Sequence, residues 1–185
     1  QNKLYEEGIS LELAQLRKQE IKDLKYDLSF SIPEKKEDPV NGEAHIRFNL
    51  QHPQEIILDF RESADKIKEV SINGKTSTYI FRNEHLILPE ASSMQGENDV
   101  YIRFTAGNQS LNRNDEYLYT LLVPDRARTV FPCFEQPNLK AKFTLQLEVP
   151  DSWEAVSNTS VQTETTENGR KNLTFYPTEP LSTYL

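Results

Sequence analysis

Short segments in which apolar and polar residues alternate recur along the chain, and they limit the fold more than any other feature. A two-residue period places successive side chains on opposite faces of a β-strand, so each segment predicts a half-buried strand. We count roughly ten short strands about 8–12 residues apart, which is the spacing of an antiparallel sandwich or barrel. The clearest alternating segments are residues 24–32, 44–50, 100–104 and 143–149. The predicted fold class is therefore all-β.

Two further segments predict strands on other grounds. Residues 56–60 are apolar except for Asp59 and predict a short buried strand. The dipeptide Asn73-Gly74 is a strong hairpin signal, so residues 78–81 are expected to form the return strand of that hairpin.

One segment before the strands predicts a helix. Residues 10–23 are rich in strong helix formers, and Ser10 can cap the first turn. The apolar stripe of this segment is thin, so the helix is expected to lie on the surface or to be partly frayed. We therefore divide the chain into a helical extension, residues 1–23, and a β domain, residues 24–185.

The connection from Tyr117 to the strand at Phe143 is unusual because prolines are dense in it. Pro124, Pro132 and Pro137 exclude a regular helix and interrupt any β ladder. Connections of this length are uncommon inside domains and are usually functional or interface-forming. An irregular crossover between two sheets is the alternative interpretation.

The composition is that of a soluble globular domain and excludes several functions. The formal net charge of −8 argues against a nucleic-acid groove, which needs clustered Lys and Arg. A single cysteine excludes an internal disulfide, and no apolar run approaches the roughly 18 residues of a membrane helix. The chain begins at Gln1 rather than Met, so we expect that a leader was removed, by biology or by cloning. Removal by biology favours a periplasmic or exported protein over a cytoplasmic one.

The residues alone do not form a complete catalytic set. His45, His52 and His85 lack metal-binding spacing, and each is expected to be an ordinary surface histidine. Cys133 lies between apolar neighbours and predicts a buried, unreactive thiol. Glu135 is expected to pair with Arg126, with Arg128 or with a backbone amide.

The segment from Ala127 to Phe143 carries a long motif, ARTVFPCFEQP followed by LKAKF. It resembles the A-R-R-x-F-P-C-F-D-E/Q-P-x-x-K-A-x-F signature in the N-terminal domain of the aminopeptidase N family of zinc metallopeptidases. Thr129 replaces the second arginine of that signature, and Glu135 replaces the aspartate. Residues 155–158, AVSN, resemble a strand of the same family, and residues 180–185 resemble its P-M-S-T-Y-L segment. The resemblance covers about residues 22–185.

The resemblance implies a saddle-like β-sandwich that packs on a catalytic domain. In the family the zinc ligands lie in that following domain, so we expect no cofactor in this chain and zinc in the catalytic domain. The implied role is part of the active-site cleft wall of an enzyme that removes N-terminal residues from peptides. The isolated chain is expected to be inactive. The implied partners are its own catalytic domain and a peptide substrate, with no nucleic acid and no membrane span.

One segment of the family's domain touches substrate, and this sequence departs from it there. In a T-Q-x-E/Q-x segment, a Gln or Glu holds the free α-amino group of the substrate. Alignment from Thr120 places Leu121 and Val123 at those positions, and neither side chain can accept a hydrogen bond. Anchoring is then expected from the catalytic domain alone, or from a nearby carboxylate such as Asp125 or Glu116. Alternatively, Leu121 and Val123 line an apolar subsite for the first side chain.

The departure leaves a second functional class open. A relative without activity could use the same sandwich as a protein-interaction or scaffold module. A carbohydrate-binding module is disfavoured, because one tryptophan, Trp153, does not form an aromatic platform.

Overall fold

The computed structural model describes residues 3–184, which contain thirteen strands and one α-helix. The helix α1 is Leu11–Glu20, and short 3-10 helices include Lys3–Tyr5 and Ala127–Thr129. The strands are β1 (Ile21–Ser31), β2 (Asn41–Leu50), β3 (Ile56–Asp59), β4 (Ile67–Ile72), β5 (Lys75–Thr76), β6 (Ile80–Arg82), β7 (His85–Leu88), β8 (Gly96–Thr105), β9 (Leu111–Arg113), β10 (Leu118–Thr120), β11 (Lys142–Pro150), β12 (Val161–Glu167) and β13 (Arg170–Phe175).

The strands form one large sheet and two small ones. The eight-stranded sheet has the order β12-β13-β11-β1-β2-β8-β4-β5, and the small sheets are β3-β7-β6 and β10-β9. Neighbouring strands are antiparallel except for β1 and β11, which run parallel. The prediction of an all-β fold with one short N-terminal helix is confirmed.

The alternation in the sequence explains which face of the large sheet is buried. The apolar residues of β1, β2 and β8 point to one side, where they meet the inner face of the three-stranded sheet. They also meet aromatic side chains of the connection between residues 117 and 143, which we call the central connection. Phe134, for example, packs edge-on against Phe48 with ring centroids 5.4 Å apart. The fully buried members of this core include Tyr26, Ala44, Ile46, Phe48, Leu58, Leu86, Leu88, Val100, Ile102 and Phe104.

The three-stranded sheet is covered on both of its faces. Its outer residues Ile57 and Ile87 form a second small cluster with Leu13 of α1, and Leu4 and Tyr5 pack against that cluster. Every residue of β3 and β7 is therefore buried, which explains why residues 56–60 show no polar alternation.

Three local predictions are wrong in detail. The helix ends at Glu20, because residues 21–23 already belong to β1, where Ile21 pairs with Leu50. The return strand after Asn73-Gly74 is β5, which has two residues only. The predicted return strand at residues 78–81 overlaps β6, which pairs with β7 in the three-stranded sheet. Residues 155–158 form no strand, and Val156 is 94% exposed.

No helix in residues 3–184 has both the length and the apolar character needed to cross a membrane.

Tyr26 of β1 binds the central connection to the large sheet. Removal of its hydroxyl group tests how much this contact stabilises the domain. Its ring stacks on Phe143 at 4.8 Å, and its hydroxyl oxygen accepts a hydrogen bond from the Phe134 N–H at 2.9 Å. We expect Tyr26→Phe to lower the free energy of unfolding by about 1–3 kcal/mol, because a buried N–H loses its acceptor. Urea denaturation measures this change. Tyr119→Phe, at a half-exposed tyrosine, is the control and should be neutral; equal stability of both variants would contradict the assignment.

Candidate functional site

An exposed row of apolar side chains runs along the segment that precedes the family-like motif. Tyr117, Tyr119, Leu121 and Val123 alternate along this segment, and each is between 50% and 53% exposed. We call these four residues the apolar stripe. Contiguous exposed apolar side chains are typical of an interaction surface.

Intervening residues of the same segment form one wall of a groove. Leu118, Thr120 and Leu122 line it from one side, and Phe143 and Leu145 of β11 line it from the sheet. We call this the apolar groove; its cavity volume is ≈ 180 Å³. The apolar face predicted for β11 is therefore correct, but Phe143, Leu145 and Leu147 are only partly buried.

The segment thus has apolar side chains on both of its sides, and only residues 118–120 of it belong to a strand. Strand β10 pairs with β9 alone within residues 3–184, and two-stranded hairpins are marginally stable without packing partners. The stripe and the groove together form a surface suited to contact with another body.

Three of the four predicted substrate-binding residues lie on one short segment, and Glu116 lies apart from them in an earlier turn. Leu121 and Val123 form one end of the stripe, and Asp125 follows them directly. The carboxylate of Asp125 is half exposed and accepts a hydrogen bond from Arg128 Nη2 at 3.0 Å. Glu116 lies in an exposed turn before β10, where its backbone N–H donates to Asn114 Oδ1 at 2.8 Å.

Arg128 fixes the loop that carries these residues. Its buried guanidinium donates to Glu84 at 2.9 Å as well as to Asp125. Its backbone N–H donates to Glu135 Oε2 at 2.8 Å, which confirms the predicted pairing of Glu135 with a backbone amide. Thr129, in place of an arginine, is also buried; its Oγ1 lies 2.7 Å from Ser110 Oγ.

Glu135 joins this loop to two other parts of the domain. One carboxylate oxygen makes a hydrogen bond with the Thr183 hydroxyl, and the Glu135 N–H donates to Asp59 Oδ2 at 2.9 Å. Burial raises the pKa of Glu135, although the hydrogen bonds from Thr183 and from the Arg128 N–H oppose that rise.

Asp59 is a fully buried carboxylate at the centre of these contacts. Arg17 of α1 donates to both of its oxygens at 2.8 Å, and His85 Nδ1 lies 2.9 Å from Oδ1. Burial alone would raise the pKa of Asp59, but the charge of Arg17 and the hydrogen bonds from His85 and Arg17 outweigh it, so the pKa is lowered.

The prediction of a surface position is wrong for His85, whose side chain is completely buried. His85 opens β7, a strand with both faces covered, and nothing in the pattern HLIL distinguishes a polar side. His45 and His52 are exposed, as predicted: their side chains are 46% and 75% accessible.

Cys133 is a buried free thiol, as predicted. Burial, together with the charges of Glu135 and Asp59, raises its pKa well above the usual value, so the thiolate needed for nucleophilic attack is suppressed. Within residues 3–184 no group of three His, Cys, Asp or Glu side chains is placed to hold a metal ion.

A model of the Peptidase M1 N-terminal domain matches residues 22–185. This chain belongs to the M1 peptidase family. "Aminopeptidase 2, mitochondrial" of Saccharomyces cerevisiae is 30% identical over 183 residues, which cover 88% of this chain and 19% of that protein. Aminopeptidase N of Streptomyces lividans is 32% identical over 136 residues, which cover 66% of this chain and 15% of that protein. The chain thus spans less than a fifth of the length of these M1 relatives.

The fold is also that of solved M1 structures. An M1 zinc metallopeptidase from Deinococcus radiodurans superposes with a TM-score of 0.73 at 23% identity, over 89% of this chain and 41% of the other. This similarity establishes the shared β-sandwich architecture. The matched M1 region begins at residue 22, so α1 and the residues before it precede the part that defines the family.

Asp59 provides a direct test of the buried charge cluster. We expect Asp59→Asn to lower the free energy of unfolding by about 3–5 kcal/mol at neutral pH, because the buried Arg17 guanidinium loses its counter-charge. The lowered pKa of Asp59 means that its contribution is present above the usual carboxylate pKa and is lost as the pH falls through the folded value. This acid-dependent component should be absent from the variant.

The matched control for this experiment is the exposed pair of His45 and Asp99, whose Nδ1 and Oδ1 atoms are 3.2 Å apart. Asp99→Asn should change stability by less than about 1 kcal/mol, as for other surface pairs. Urea denaturation across the acid range measures the stability of both variants. Similar losses of stability in the two would contradict a special role for Asp59.

Proposed function

We propose that this chain is the non-catalytic N-terminal domain of a zinc metallo-aminopeptidase and forms part of the wall of its active-site cleft. Membership of the M1 family and relatives that are named aminopeptidases support the reaction class. The single observation that carries the structural part is the apolar stripe above the apolar groove, on the segment that leads into the family motif.

The partner that we propose for this surface is the catalytic domain of the same enzyme. A segment with exposed apolar side chains next to an apolar groove is expected to be covered in the working protein. We propose that the zinc expected for the family is bound by the catalytic domain, and we assign no chemical step to the residues described here.

The contribution to substrate binding is proposed to be apolar. Leu121 and Val123 have no side-chain acceptor for an ammonium group, and the carboxylate of Asp125 is already paired with Arg128. We therefore propose that Leu121 and Val123 contact the first side chain of the peptide, while its α-amino group is bound mainly by the catalytic domain. Glu116 and Asp125 then contribute negative charge near the cleft and do not hold the amine directly.

The decisive experiment compares the full-length enzyme with the 185-residue chain. We expect zinc and hydrolysis of aminoacyl-arylamides in the full-length protein and neither in the chain alone. Metal analysis and a chromogenic assay on both samples measure this. If the full-length protein also lacks zinc and activity, the aminopeptidase proposal fails, and the alternative of an interaction or scaffold module in the same family gains support.

The apolar subsite is tested by a polar substitution in the stripe of the full-length enzyme. Leu121→Gln should lower kcat/KM for leucyl substrates about tenfold relative to glycyl substrates, because burial of the larger side chain loses its apolar contact. The control is Met94→Gln, which alters a side chain of similar exposure, 48% against 50%, outside the stripe. An unchanged leucyl-to-glycyl ratio in Leu121→Gln would count against the subsite.

A further inference from the structure

We call residues 3–9 the N-terminal strap, and Leu4, Tyr5 and Glu6 of this strap contact the three-stranded sheet. Asn83 Nδ2 donates to the Tyr5 carbonyl at 2.8 Å, and His85 Nε2 lies 2.8 Å from the Glu6 carbonyl oxygen. The Arg82 guanidinium lies over the Tyr5 ring at 4.3 Å. The hairpin of β6 and β7 therefore holds a segment that precedes the matched M1 region.

The protonation of one nitrogen of His85 follows from its carboxylate neighbour. Asp59 accepts hydrogen bonds from Arg17 and from the Glu135 N–H, and its pKa is lowered. Asp59 is therefore an ionised acceptor without a proton to donate, so His85 Nδ1 must carry the hydrogen of their 2.9 Å contact.

The other nitrogen faces an acceptor as well. A backbone carbonyl oxygen can only accept a hydrogen bond, so the 2.8 Å contact of Nε2 with Glu6 requires a hydrogen on Nε2. An imidazole with hydrogens on both nitrogens is a cation.

We propose that His85 is a buried imidazolium that latches the N-terminal strap onto the three-stranded sheet, and that loss of its proton releases the strap.

The charges around His85 are compatible with a cation there. Arg17 on α1 and His85 face Asp59 on β3, and the Glu135 carboxylate of the central connection belongs to the same cluster. Glu84, next to His85 in the chain, already pairs with Arg61 and Arg128. In the strap, Glu6 contacts His85 through its backbone carbonyl.

The release follows from the unequal strength of the two hydrogen bonds of His85. A hydrogen bond to an ionised carboxylate is roughly twice as strong as one between neutral groups. A neutral His85 therefore keeps its hydrogen on Nδ1, toward Asp59, and presents a lone pair to the Glu6 carbonyl. Two acceptors then oppose each other, and the strap loses its hydrogen bond with His85. The strap is held at low pH and loosens as the pH rises.

The first test reads the protonation of His85 directly. A long-range ¹H–¹⁵N correlation spectrum of the 185-residue chain distinguishes an imidazolium, with two similar protonated nitrogens, from a neutral ring. We expect two protonated nitrogens for His85 at about pH 7. A neutral tautomer at that pH would overturn the proposal, and this measurement needs no variant.

The second test follows the strap between about pH 5 and about pH 8. Heteronuclear ¹H–¹⁵N NOE values of strap amides and the ¹³C shift of the Glu6 carbonyl should report an ordered strap at low pH. Once the proton is lost, the ratio of closed to open strap should fall by up to about tenfold per pH unit, the limit for a single linked proton. A strap that remains equally ordered across this range would overturn the latch.

Matched histidine variants assign the transition. His52→Gln changes an exposed imidazole whose Nδ1 lies 3.3 Å from Glu20 of α1, and the pH response should persist in it. His85→Gln removes the imidazole ring, so the order of the strap should no longer depend on pH. A response that survives in His85→Gln, or that disappears in His52→Gln, would overturn the assignment to His85.

Discussion

The buried carboxylate of Asp59 is the interaction on which the arrangement of this domain depends. It is the common acceptor for the helix through Arg17, for the three-stranded sheet through His85 and for the central connection through the Glu135 N–H. An isolated buried charge would be strongly unfavourable, and it persists only because each of its partners is held in place. Electrostatic contacts from outside the family-like motif therefore help to fix it, in addition to its own prolines.

Much of the fold could be predicted because alternation is a direct record of which side chains face the core. Strands β1, β2 and β8 lie where their apolar residues indicated, and each buries that face. The failures occur where burial does not alternate. His85 lies in a strand covered on both faces. Arg17 is buried on a helix that was expected to lie on the surface or to be partly frayed. Neither position carries a local sequence pattern, because each is set by a partner far away in the chain.

The candidate site was accessible to sequence reasoning only in part. Leu121 and Val123 were found because a family segment could be aligned on Thr120, but the stripe that also includes Tyr117 and Tyr119 emerges only when the exposure of each side chain is known. The pairing of Asp125 with Arg128 also required coordinates. This ion pair argues against Asp125 as a ligand for the substrate amine, because Arg128 already compensates much of the carboxylate charge.

The parallel pairing of β1 with β11 has a consequence for how the chain acquires its structure. Lys25 is in register with Lys142, so most of the domain must be synthesised before the central strand of the large sheet finds its second neighbour. Until then β1 presents an unpaired edge with an apolar face, the kind of surface that associates with other chains. Long-range pairings also close slowly. The domain is then most vulnerable to aggregation during synthesis, before β11 has paired with β1, and not in its final folded state.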